Sequence, residues 1–74
     1  MVSTEVVRGR IEQALADARV EVVDTTGAGD HFEVRVAAPA FAGLGLVDQH
    51  RLVYEALGDL MGTIHALSLR TSAP

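Results

Sequence analysis

The chain has 74 residues, a formal net charge of −4, six arginines, no lysine and no cysteine. That excludes a disulfide framework and an all-cysteine zinc or iron–sulfur site, and it argues against a broadly basic nucleic-acid surface. Any metal the chain meets must be completed by another molecule.

The length fits one domain, residues 1–74. A domain of this size buries only about 60–65% of its unfolded surface, so its stability is modest. With 49% apolar residues, the chain is expected to pack rather than stay disordered. The start, MVSTEVVRGR, lacks the pattern of a secretory signal. No stretch approaches the ~20 apolar residues of a membrane span. A cytoplasmic location and a monomer or weak homodimer are the expectations.

Residues 3–18, STEVVRGRIEQALADA, read as a helix. Val7, Ile11, Ala14, Leu15 and Ala18 share one face at helical spacing. Ser3 or Thr4 caps it, and Glu5 suits the positive end of its dipole. Gly9 costs the helix about 1 kcal/mol relative to alanine, and close packing is the expected reason. RVEVVD, residues 19–24, has the β-branched content of a strand. TTGAGD, residues 25–30, is a turn in which Gly27 and Gly29 are free to take positive φ.

HFEVRVA, residues 31–37, alternates cleanly. Phe32, Val34 and Val36 point one way, and Glu33 and Arg35 the other. The two strands and their glycine turn make a hairpin. Pro39 begins a short helical turn anchored by Phe41, and Gly43 with Gly45 breaks it. A second long helix runs over 46–61, with Leu46, His50, Val53, Leu57 and Met61 as its apolar stripe and Gly62 as its stop. HALSLRT, residues 65–71, is the last strand, and SAP is a frayed end.

The order α-β-β-α-α-β predicts an α/β (α+β) two-layer sandwich. The first strand lies antiparallel to the second, and the helical crossover makes the third parallel to the second. All the helices then cover one face of a three-stranded mixed sheet. In this topology His31 opens the second strand and His65 opens the third. Neighbouring strands lie only ~4.8 Å apart, so the two imidazoles could serve one site. The competing readings are a solvated turn residue for His31 and a packed histidine for His65. By parity, His65 belongs with Leu67 and Leu69 on the core face. His50 lies on the apolar stripe of its helix and reads as mostly structural.

FAGLGLVDQHRLVYEAL followed by IHALSLRTSAP resembles the BolA family, most tellingly in residues 50–57 and 64–69. GDHFEVRV is similar to the family's second strand. The resemblance implies a fold like a class II KH domain and no enzyme activity. It implies a partner, a monothiol glutaredoxin with glutathione, and a [2Fe–2S] cluster held only in that complex. The roles implied are iron–sulfur and redox homeostasis and stress response. The family's two cluster-ligating positions fall on His31 and His65. Histidine ligation raises a cluster's potential relative to cysteine, and two histidines leave positions for partner thiolates. Both imidazoles must be neutral to bind, so binding is expected to weaken as pH falls.

The resemblance also implies an alternative, a DNA-binding transcriptional regulator using the helix-turn-helix-like region 39–54. Its candidate contacts are Gly43, Gly45, His50, Arg51 and Arg70, with Arg35 a further cation. KH domains clamp phosphates with a GXXG loop. The spacing here is Gly-X-Gly. Leu44 stands where the family often has lysine, and Gly45 where it often has a capping serine. Asp48 adds negative charge in the first turn of the helix.

Overall fold

A computed structural model of the chain describes residues 2–74. The elements are α1 (Thr4–Ala14), β1 (Arg19–Asp24), β2 (His31–Ala37), a 3-10 turn (Pro39–Phe41), α2 (Leu46–Leu57), a second 3-10 segment (Gly58–Gly62) and β3 (Ala66–Ser72). The three strands form one sheet in the order β1-β2-β3. β1 pairs antiparallel with β2, and β3 pairs parallel with it. The mixed sheet and the helices on one face are as the residue pattern predicts.

The core follows from strand alternation. Phe32, Val34 and Val36 leave the inner face of β2 and are buried against Val7 and Ile11 of α1 and Val53 and Leu57 of α2. Phe41, also fully buried, anchors the 3-10 turn into the same core. The helices need this contact because isolated helices of 11 or 12 residues are marginal in water. The other face of the sheet carries Arg19, Glu21, Glu33, Arg35, Ser68 and Arg70, all exposed.

Ser3 caps α1, its Oγ accepting from the Val6 amide at 3.2 Å. The helix ends at Ala14, earlier than the periodicity over 3–18 suggests. Leu15 is extended and Asp17 takes φ +58°, which stops helical bonding while Leu15 still reaches the core. Ala14 itself is exposed. Likewise α2 stops at Leu57 rather than near Gly62, because Gly58 takes φ +53°. Arg10 reaches from α1 to the end of α2, donating to the Leu57 carbonyl at 3.4 Å and to Asp59 at 3.2 Å. A cation there complements the helix's negative end. Leu46, expected on the apolar stripe, is 60% exposed and Val47 beside it 73%, so the first turn of α2 stands clear of the core.

Gly9 does not mark close packing, because a β-carbon added there would meet nothing within 4 Å. Gly9→Ala is therefore expected to stabilise the fold by about 0.5–1 kcal/mol. A calorimetric midpoint that fails to rise by about 2 °C would contradict this.

Candidate metal centre

The turn before β2 is built around one carboxylate. Asp24 Oδ1 accepts from the amides of Thr26 at 3.3 Å and Gly27 at 2.9 Å, and Oδ2 accepts from Gly29 at 2.9 Å. Three amides can converge on one side chain because Gly27 and Gly29 sit at φ +79° and +76°. The Thr25 amide donates to the His31 carbonyl at 3.0 Å and closes the turn. The Val2 amide donates to the Gly29 carbonyl at 3.1 Å and ties the turn to the start of the chain.

Asp30 then links the two histidines through its main chain and its side chain. Its carbonyl accepts from the amides of both His65 at 2.8 Å and Ala66 at 3.1 Å. This fastens the entry of β3 beside the entry of β2. The imidazoles of His31 and His65 consequently stand with ring centres 5.0 Å apart and planes inclined by 54°. The strand order thus brings together two residues far apart in sequence, at one accessible end of the sheet.

The Asp30 side chain orients His31. His31 Nδ1 lies 2.9 Å from Asp30 Oδ1, and the Thr26 hydroxyl donates to the same oxygen at 3.1 Å. The bond from His31 holds the Asp30 carboxyl below its ordinary range. Partial desolvation opposes this, and the Thr26 bond adds to it. An ionised carboxylate only accepts, so Nδ1 is the protonated nitrogen of this contact, and Nε2 is the ring's lone-pair donor atom in the neutral tautomer. This is the way outer carboxylates aim histidine at a metal. Asp30's contribution to stability is in place above the unfolded carboxyl range and is lost as pH falls through the folded value. Both groups reach solvent, so that contribution is small.

His65 lies one residue ahead of β3 and is exposed, which differs from the core-face position that strand parity predicts. Ile64 takes the buried place instead, at 6% exposure. The Thr63 and Ile64 amides both donate to the Leu60 carbonyl, and this tight turn rotates His65 outward. Among the described residues no group of three histidine, aspartate or glutamate side chains is placed to hold a metal ion. The two imidazoles therefore stand together without a third ligating side chain beside them among the described residues.

The loop-and-helix region is arranged differently. Gly43 sits at φ +79°, and Gly45 precedes α2 with no side-chain cap. Gln49 pins this loop. Its amide group donates to the Leu44 carbonyl at 2.9 Å, and its oxygen accepts from the Thr71 hydroxyl of β3 at 2.7 Å. Sequence reading missed Gln49 because nothing in its spacing signals a link to β3. Arg51 is exposed and 3.9 Å from Asp48. His50 is half-buried beside Tyr54, ring centres 6.5 Å apart, with Nε2 lacking a hydrogen-bond partner among the described residues. Gly43, Gly45, His50 and Arg51 thus share one region, whereas Arg70 lies on the open face of the sheet with Arg35. No helix is long and apolar enough to cross a membrane among the described residues.

The family model described as BolA-like protein matches residues 11–74. Protein BOLA2 of Arabidopsis thaliana is 39% identical over 71 residues, covering 95% of this chain and 76% of that protein. A Bol-like protein of Babesia bovis superposes with a TM-score of 0.89 at 32% identity, covering 100% of this chain and 87% of that one. The BolA domain of SufE1 from Arabidopsis thaliana gives 0.84 at 34% identity, over 96% and 91% of the two chains. Sequence match and shared sheet topology agree along nearly the whole length, and the chain belongs to the BolA-like family.

Proposed function

We propose that the chain is an accessory protein that pairs with a monothiol glutaredoxin and shares a [2Fe–2S] cluster with it and glutathione, serving iron–sulfur and redox homeostasis. The observation that carries this reading is the His31–His65 pair, 5.0 Å apart, accessible and held by Asp30. The donor set fits half a cluster. Two imidazoles fill two terminal positions, and the chain has no thiolate for the others. When bound, the cluster supplies redox-active iron in a form that a partner can take over.

The chain's own residues do three things in this reading. His31 presents Nε2 because Asp30 occupies Nδ1. His65 stands in a turn that solvent and a partner can reach. The main-chain bonds to Asp30 fix their separation before any ligand arrives, which lowers the ordering cost of binding. Protons compete for the same lone pairs, so the complex loosens as pH falls. The DNA-binding alternative has less support, since the cations proposed for it lie on separate surfaces.

Reconstitution with a monothiol glutaredoxin, iron, sulfide and glutathione tests the proposal. Visible absorption and circular dichroism of the mixture are expected to differ from those of the glutaredoxin alone. His65→Ala is expected to return the spectrum to that of the glutaredoxin, with the variant still folded. An unchanged spectrum in His65→Ala would overturn the ligand assignment.

A further inference from the structure

The open face of the sheet carries an arrangement that the histidine pair does not explain. In the parallel register Arg35 stands directly opposite Arg70. Like charges facing each other across strands cost stability. Arg10 and Arg51 lie within ion-pair distance of Asp59 and Asp48. Arg35 and Arg70 have no such carboxylate among the described residues, although Glu21 lies opposite Arg35. Arg19 stands at the same end of the face, and the three guanidinium-bearing side chains with Ser72 line a shallow cavity of about 360 Å³. In a chain of net charge −4, three arginines and one glutamate at one depression form a local concentration of positive charge.

We propose that this cavity is a carboxylate-binding site, and that it docks an acidic peptide segment of a partner across β2 and β3. Two planar guanidinium forks on adjacent strands suit one carboxylate between them, each able to donate a pair of hydrogen bonds. A bound carboxylate also relieves the repulsion between Arg35 and Arg70. The neighbouring charges select a peptide over a nucleic acid. Glu33 follows two residues from Arg35 on the same face, about 6.6 Å away. A phosphate backbone is charged at every nucleotide and meets that carboxylate. A peptide can place a neutral side chain there, and Val23, paired with Glu33 and 53% exposed, offers it an apolar neighbour. The site lies four residues along β2 from His31, about 13 Å, so it is separate from the histidine pair.

Amide chemical shifts of the full chain at low ionic strength test this, with a blocked peptide of alternating glutamate and valine as the probe. Inorganic phosphate and duplex DNA are the comparison arms. The peptide is expected to shift the amides around Arg35 and Arg70 saturably, and added salt to reverse it. Arg35→Gln and Arg70→Gln are each expected to weaken binding about tenfold. Both side chains are exposed, so the dispersed spectrum of the folded chain is retained. The proposal is overturned by an absent or unsaturable response, by a response that survives the double substitution, or by phosphate or DNA acting more strongly than the peptide at these amides.

Discussion

Replacing Phe32 with alanine is expected to destabilise the fold by about 3–5 kcal/mol, enough to leave much of the chain unfolded at physiological temperature. Phe32 is 2% exposed and sits on the inner face of β2, the middle strand, one residue from its start. Its register partners are Asp24 on β1 and Leu67 on β3, and its ring belongs to the core cluster that Val7, Ile11, Val53 and Leu57 of the helices complete. A domain of 74 residues has a total stability on the order of 4–11 kcal/mol, so this one side chain carries a large share. No disulfide compensates. Phe32→Leu, which keeps most of the volume, is expected to cost less than about 1.5 kcal/mol. Urea denaturation followed by circular dichroism measures both. A loss below 1 kcal/mol in Phe32→Ala would mean the core is not organised around this ring.

The second large effect concerns Asp24. Removing its carboxylate leaves the amides of Thr26, Gly27 and Gly29 without their shared acceptor. Asp24→Ala is expected to cost about 2 kcal/mol, a fall of roughly 8–16 °C in the melting midpoint of a domain this size. The effect on the site is expected to be greater than the effect on the fold. The turn of residues 25–30 carries Asp30, and Asp30 positions both histidines. Hydrogen exchange is expected to speed up at Gly27 and Gly29 in the variant, while β1 and β2 amides away from the turn stay protected. Asp24→Asn keeps one acceptor oxygen, so it is expected to fall between the wild type and Asp24→Ala. Unaltered exchange at the two glycines would show that the turn holds itself without Asp24.

Much of the architecture was legible because one strand is so regular. HFEVRVA fixes its own inner and outer faces, and the long segment before HALSLRT requires a crossover, which makes the last strand parallel. From there the proximity of His31 and His65 follows by topology alone. Details carried by side chains crossing between elements were not legible. Asp24 folding over the turn, Gln49 joining a loop to β3, and Arg10 closing the end of α2 leave no periodic trace. The early stops of α1 and α2 escaped for a related reason. Periodicity tells which residues seek the core, and Leu15 finds it without being helical.

The dependence of the paired imidazoles on β2–β3 pairing has a consequence in time. Every contact within the hairpin is local and forms early, since short loops close fastest. The parallel pairing waits for the crossover from Ala37 to Ala66, whose closure is the slow kind of step. On a ribosome, residue 31 emerges well before residue 65, and during that interval the hairpin holds a single histidine with no neighbour. A nascent chain thus has no paired imidazoles until its last strand has joined the sheet, so any property of the pair reports on completed folding.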